Sequence, residues 1–166
     1  MYYQGDVRHL YIGGRWVLPE STDRIEVISP VTEDVLASVP DASRADVNRA
    51  VSAARQAFDK GPWSRMTLAE RIAFIRKLSG FLDENKRVVG ETITTEMGSP
   101  RSVDWMQSDS LSGWVNAYIE VALAYPFSVV RPSSTGVARV DREPVGVVAA
   151  IVPWNAPVPG RLHSGR

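Results

Sequence analysis

An apolar run ends directly in three residues whose side chains suit a binding site. The run is Val145–Val152, and Pro153, Trp154 and Asn155 follow it. In open α/β sheets, ligands bind at the carboxyl ends of the parallel strands. An asparagine amide placed there can donate a hydrogen bond to negative charge developing on an oxygen. Taken alone, such a tripeptide is more often a strand-ending turn, with Trp154 in the core and Asn155 bonded to backbone groups.

The residue types present exclude several other chemistries. The chain has no cysteine, which excludes disulfides, thiolate metal sites and cysteine nucleophiles. His9 and His163 lie near opposite ends, so we expect no metal site. The 19 basic and 19 acidic side chains cancel, which argues against a nucleic-acid partner. The 44% hydrophobic and 23% charged residues are typical of a globular protein.

The sequence shows no targeting or membrane signal. Its first residues, Met-Tyr-Tyr-Gln-Gly-Asp-Val-Arg, lack the basic and then apolar regions of a signal peptide. No apolar run approaches the ~20 residues that a membrane span requires. We therefore expect a cytoplasmic protein without a membrane partner.

Short strands with period-two patterning open the chain. Leu10–Val17 is predicted to be a hairpin, because Gly13 and Gly14 supply the two positive-φ positions of a tight turn. Alternating apolar residues predict two further strands, over Arg24–Ser29 and Val35–Val39. These patterns indicate an N-terminal group of antiparallel strands.

Helical patterning follows the strands. Ser43 with Asp46, and Thr67 with Glu70, are capping-box signals that each begin a helix. The second helix is predicted through Leu82. Helical character resumes through Val89 and continues to Met97, which makes a third helical segment. A fourth helix is predicted to span Val103 to Tyr125. These predictions rest on apolar residues that recur every three to four positions, as on one face of a helix.

The last third of the chain is predicted to be extended and then irregular. Ser133–Asp141 is interpreted as an extended arm. Val145–Val152 is apolar on both faces, as a strand in a parallel sheet covered by helices must be. The residues from 158 onward are rich in glycine and arginine and are expected to be coil.

Five ordered segments together resemble the NAD(P)-dependent aldehyde dehydrogenase superfamily. The most specific is Arg139-Val-Asp-Arg-Glu-Pro-Val-Gly-Val-Val-Ala-Ala-Ile-Val-Pro-Trp-Asn-Ala-Pro157. The resemblance covers nearly the whole chain up to Pro157. The other four segments are similar to the family's opening hairpin, next strand pair, first helix and the turn after its second helix: Tyr11–Trp16, Ile28–Pro40, Asp46–Phe58 and Thr95–Pro100.

The resemblance implies roles for the residues that end the apolar run. The family oxidises an aldehyde to a carboxylate and transfers a hydride to NAD or NADP. The asparagine matching Asn155 donates its amide to the oxyanion that forms when a cysteine attacks the aldehyde. The positions matching Ile151, Val152, Pro153 and Trp154 line the cofactor near its nicotinamide end. The arm pairs with another subunit in the family's homo-oligomers.

The same resemblance implies the fold class and the domain organisation. The fold expected is α/β, in which N-terminal antiparallel strands and helices lead into the first strand of an incomplete Rossmann-like parallel sheet. Residues 1–142 then form the strands, helices and oligomerisation arm. Residues 143–157 form the first strand of the cofactor-binding domain, and residues 158–166 are a coil tail outside the family pattern.

The departures from the family pattern limit the activity expected. The nucleophilic cysteine, the glutamate of a Glu-Leu-Gly-Gly stretch, and the lysine and glycines that hold the cofactor phosphates are absent from the 166 residues. We therefore expect a truncated N-terminal part of an aldehyde dehydrogenase that is inactive alone. The alternative is a non-catalytic interaction partner of a full-length relative.

Overall fold

Three antiparallel strand pairs form the β structure of the described chain. The structure is a computed structural model, and it describes residues 8–106 and 108–158. Each strand pairs with its neighbour along the chain. The strands are β1 (Leu10–Ile12), β2 (Arg15–Val17), β3 (Arg24–Ile28), β4 (Val35–Pro40), β5 (Ser128–Ser133) and β6 (Gly136–Asp141).

Tight turns position the first two pairs. Gly13 and Gly14 join β1 to β2 with φ values of 62° and 80°, the conformation predicted for a two-residue hairpin turn. In the turn between β3 and β4, the backbone N–H of Ser29 donates to the carbonyl of Asp34 at 2.9 Å. These pairs confirm the predicted N-terminal strands.

Two of the three α-helices in the described residues begin with the predicted capping boxes. The helices are α1 (Arg44–Lys60), α2 (Leu68–Met97) and α3 (Leu111–Ala124). At the start of α1, the Ser43 hydroxyl accepts from the backbone N–H of Asp46 at 3.2 Å. Thr67 and Glu70 make the same reciprocal pair at the start of α2. Such caps satisfy backbone donors that the first helical turn otherwise leaves without partners.

The core lies between α2 and α3. Ile72 on α2 and Val115 and Ile119 on α3 are buried together. One helical turn separates Val115 from Ile119, so both project onto the same face of α3. Leu68, Ile75 and Leu82 on α2 pack around this group.

The first helix is fastened to the strands by a buried carboxylate. The carboxylate of Asp46 accepts from the backbone N–H of Glu20 at 3.2 Å and from the Ser43 hydroxyl at 2.7 Å. It also pairs with the Arg49 guanidinium. These bonds hold the pKa of Asp46 at about 2, chiefly through the Ser43 hydroxyl, while burial acts in the opposite direction.

The predicted helix boundaries need two corrections. The second helix is one continuous helix, α2, rather than two segments, because no proline interrupts it. The predicted helix from Val103 to Tyr125 is wrong at its start, since a short 3-10 helix at Arg101–Met106 precedes α3. Ser108, Asp109 and Ser110 explain the break, because their short polar side chains compete for backbone hydrogen bonds and disfavour helix interiors.

The prediction of an extended arm is confirmed, whereas the prediction of a strand over the apolar run is not. The arm is extended as predicted, and it forms a hairpin that begins at Ser128. The run Val145–Val152 forms no strand in the described structure. That part of the prediction is therefore not met for this chain, because a strand of a parallel sheet needs partner strands from distant parts of a chain. The described mixture of antiparallel strand pairs and helices agrees with the expected α/β class.

Candidate functional site

The three residues after the apolar run form a turn. The backbone N–H of Ala156 donates to the carbonyl of Pro153 at 3.3 Å, which closes the chain around Trp154 and Asn155. The Asn155 side chain is exposed and has no hydrogen-bond partner within the described part of the chain. Its amide is therefore available to donate to a group outside the chain.

Exposure differs among the residues predicted for the cofactor wall. Ile151 is 94% exposed and Trp154 is 75% exposed, whereas Val152 is half-buried. The sequence places Trp154 either in the core of a turn or at a cofactor wall. Within the described chain Trp154 packs into no core, and its place at a cofactor wall stays a prediction. The five residues predicted for the site, Ile151–Asn155, are consecutive in the chain, and the last three of them lie in the turn.

A neighbour that the sequence did not indicate lies beside the start of the run. Val147 shares a groove with Val51 and Arg55 of α1. A Cβ added to Gly146 would lie 3.4 Å from the Nη1 atom of Arg55. No local pattern links these residues, which are about ninety positions apart, so only the structure reveals the contact.

Three charged side chains line this groove, and two of them, Arg55 and Asp59, form an ion pair, while the third is Lys60. The Nε atom of Arg55 donates to Asp59 at 2.8 Å, one helical turn away. That hydrogen bond lowers the pKa of Asp59 and raises the pKa of Arg55. The guanidinium also lies 4.8 Å from the ring centre of Phe58. The charges of this pair cancel, so it adds no net charge to the groove beside Val147.

The five site residues fit one part of a dinucleotide and not the rest. Ile151, Val152, Pro153 and Trp154 carry no charge and can form an apolar wall for a nicotinamide or adenine ring. Pyrophosphate requires backbone N–H groups at a helix N-terminus or cationic side chains, and the turn itself supplies no cation. The fit is therefore to one wall of a cofactor cleft.

Two kinds of feature are absent from residues 8–106 and 108–158. No group of three or more His, Cys, Asp or Glu side chains in those ranges is placed to hold a metal ion. Among the helices of the same ranges, none has the length and apolar character needed to cross a bilayer. Of the coil predicted from 158 onward, only Val158 is described, and it is helical rather than coil. The rest of that segment, with His163, lies outside the described residues.

Residues 16–162 match the model of the aldehyde dehydrogenase family. Among curated proteins, the chain is 33% identical over 155 residues to geranial dehydrogenase of Castellaniella defragrans, covering 92% of this chain and 32% of the relative. It is 34% identical over 152 residues to an NADP/NAD-dependent aldehyde dehydrogenase of Escherichia coli, covering 90% and 30%. The chain thus spans about a third of the length of the curated relatives it matches.

Solved structures show the same relationship. A Mycobacterium tuberculosis aldehyde dehydrogenase complexed with NAD+ is 38% identical, with a TM-score of 0.84, over 95% of this chain and 34% of that one. A Pseudomonas syringae aldehyde dehydrogenase with NAD+ and octanal is 34% identical, with a TM-score of 0.85, over 94% and 31%. Folds of this kind contain Rossmann-like domains. The chain belongs to the aldehyde dehydrogenase family and corresponds to its N-terminal part.

Proposed function

We propose that this chain supplies the N-terminal part of an enzyme that oxidises an aldehyde to a carboxylate with NAD or NADP. The observation that carries the proposal is the exposed turn at Pro153, Trp154 and Asn155, which lies within the segment 139–157 that most specifically resembles the family. The amide of Asn155 points to no partner in the described chain, so it can serve an external oxyanion.

Asn155 is the catalytic residue of this proposal. As a nucleophile attacks the aldehyde carbon, negative charge develops on the carbonyl oxygen. A preorganised amide N–H within hydrogen-bond distance stabilises that charge more in the transition state than in the ground state. The turn places Asn155 where the chain leaves the apolar run, and the residues that surround its amide in the complete enzyme would hold it toward the oxyanion.

The cofactor wall is the second part of the proposal. NAD or NADP, when bound, supplies the hydride acceptor. Ile151, Val152, Pro153 and Trp154 would cover one side of its nicotinamide end and exclude water there. Two solved relatives hold NAD+, which supports dinucleotide dependence for the enzyme to which this chain corresponds. The 166 residues contain no cysteine to act as nucleophile, so we propose that the isolated chain is inactive.

The hairpin of β5 and β6 is proposed to contact another subunit. Every residue of β6 is exposed, and Val137 retains 75% of its accessible surface. An exposed two-stranded hairpin leaves its edges free to pair with another chain. This supports a homo-oligomer for the complete enzyme.

A fused enzyme tests the proposal. Residues 1–157 are joined to the sequence that follows the matching position in the M. tuberculosis relative, and NADH formation is measured with several aldehydes. We expect turnover by the fused enzyme and none by the isolated chain. The intact relative serves as the positive control.

Two results would overturn the proposal. The first is turnover by the isolated chain that persists through repeated purification. The second is a fused enzyme that melts cooperatively and binds NAD+, yet oxidises none of the aldehydes that the intact relative oxidises.

A further inference from the structure

A polar groove lies between the β1–β2 hairpin and α1. Its volume is about 620 Å³, within the range of sites that hold small molecules. At the hairpin turn, a Cβ added to Gly13 would lie 3.8 Å from the Cβ atom of Ala53, so the turn abuts the helix. Farther along, the backbone N–H of Glu20 is bonded to Asp46. These two contacts hold the hairpin and the helix in place on either side of the groove.

The helix side of this groove carries a row of uncharged polar side chains. Asn48, Ser52 and Gln56 line the groove, and their four-residue spacing places them one above the other on one face of α1. All three are exposed, and none is hydrogen-bonded through its side chain within the described part of the chain. The row extends over about 12 Å of helix. Its amide and hydroxyl groups can donate hydrogen bonds to a ligand along that length.

Arg15 on β2 brings a positive charge to the same groove. Its side chain makes no hydrogen bond or ion pair with any residue that the structure describes. Arg49 also lines the groove, but its guanidinium is bonded to Asp46 and lies 3.8 Å from Glu20 (Nε to Oε1), so its charge is balanced. No acidic residue is among the described residues that line the groove. The charge of Arg15 is therefore available to a ligand.

Two neighbouring grooves on α1 lack this combination. In the groove beside Val147, Arg55 is already paired with Asp59. The groove on the other side of the hairpin turn is lined mainly by alanine and glycine, together with Tyr11 and Lys60. An unbalanced arginine that faces a row of hydrogen-bonding side chains thus distinguishes the groove beside Arg15 from these two.

We propose that this groove binds a small, elongated anion that carries a carboxylate or a phosphate group. The guanidinium of Arg15 presents parallel N–H donors that match two oxygens of either group. The row of Asn48, Ser52 and Gln56 donates to the remaining oxygens of the ligand. Because the ligand contacts both β2 and α1, its binding fastens the hairpin to the helix. The site is separate from Asn155 and does not depend on the proposed function.

Titrations of the 166-residue chain with succinate and with glycerol 3-phosphate test the proposal, with one ligand for each anionic group. The NMR signals of the backbone amides that line the groove report binding. Sodium chloride at matched ionic strength is the reference, because it screens charges without filling the site. We expect saturation by at least one ligand with a dissociation constant of about 1 mM or lower. The ligand that binds more tightly identifies the anionic group that the groove prefers.

Substitutions locate the bound anion. Arg15→Gln removes the charge and should weaken binding by about tenfold or more, the usual effect of losing hydrogen bonds to a charged group. Ser52→Glu places a carboxylate in the row, where it competes for Arg15, and should weaken binding to a similar extent. Both positions are exposed, so both variants should keep the circular dichroism spectrum of the parent. Arg131→Gln is the matched control, because Arg131 is also exposed on a strand of a hairpin but lies outside the groove. Its effect should stay below about twofold.

Two results would overturn the proposal of an anion site. The first is a response to both ligands that does not exceed the response to sodium chloride. The second is saturable binding that Arg15→Gln leaves unchanged, since the anion would then lie elsewhere. The fused enzyme contains the same groove, so the same titrations on it decide the question if the isolated chain precipitates. None of these measurements uses aldehyde turnover, so the anion site and the proposed function can fail independently.

Discussion

The backbone N–H of Glu20 donates to both carboxylate oxygens of Asp46, at 3.3 Å and 3.2 Å. This relationship joins the loop after β2 to the first turn of α1 across 26 positions of the sequence. The carboxylate also closes the capping box with Ser43. One side chain therefore stabilises the helix start and holds the helix against the strands.

The stability contributed by Asp46 should depend on pH in the acid range. The folded-state pKa is about 2, below the ordinary value of 3.8, so the stabilisation is complete above about pH 4. Between about pH 4 and pH 2 the unfolded chain binds the proton first, and the stabilisation is progressively lost. We expect Asp46→Asn to lower the urea midpoint at pH 7 and to matter less as the pH falls toward 2.

Circular dichroism at pH 7, 4 and 2.5 measures these midpoints. Asp59→Asn is the control, because the Arg55–Asp59 pair is exposed and such pairs contribute little. A difference between Asp46→Asn and the parent that is constant across this pH range would show that the carboxylate charge is not the cause.

Two glycines of α2 should respond oppositely to alanine. Gly98 ends α2 with a φ of 71°, and an added Cβ would lie 2.9 Å from the Cγ atom of Pro30. We expect Gly98→Ala to lower the free energy of unfolding by about 1–2 kcal/mol or more. Gly80 lies inside the helix with open space around it, so Gly80→Ala should raise the free energy of unfolding by about 0.5–1 kcal/mol.

Urea titrations of both variants and the parent test this pair. The comparison controls for helix propensity, because both substitutions are in or at the end of one helix. If Gly98→Ala were as stable as the parent, the left-handed end of α2 and its contact with Pro30 would be incorrect.

Asn155 should act on the transition state in the fused enzyme. Loss of one preorganised oxyanion donor typically costs about 10²–10³ in kcat, or about 2.7–4 kcal/mol. Asn155→Ala should therefore lower kcat and kcat/KM together while cofactor affinity changes little. Asn155→Asp should be worse, because a carboxylate repels the oxyanion.

Active-site titration beside NAD+ binding distinguishes catalysis from folding. A turn asparagine with only a structural role predicts less folded protein but near-normal kcat in the remainder. A fully active Asn155→Ala enzyme would end the catalytic assignment.

Local signals in the sequence predicted most of the fold correctly. The capping boxes at Ser43 and Thr67 and the turn at Gly13 and Gly14 are decided by residues a few positions apart, so their patterns suffice. The break before Leu111 was missed because the apolar period continues across it. The composition of the apolar run predicts a strand, but a strand of a parallel sheet also needs partner strands, and composition carries no information on whether they are present.

The candidate site, like the fold, could be predicted from the sequence only in part. The position of Asn155 after the run could be predicted, and the structure adds its exposure and the turn around it. The groove between Val51 and Val147 could not be predicted, because no pattern connects residues so far apart. The role of Asn155 remains a prediction, since its chemistry depends on a nucleophile that this chain does not supply.

Pairing between adjacent strands has a consequence for folding during synthesis. Each described sheet joins strands that are neighbours in sequence, so the contact order of this region is low and its elements can form soon after they leave the ribosome. Residues 145–152 pair with no strand in the described structure, so they gain no such local contact during synthesis.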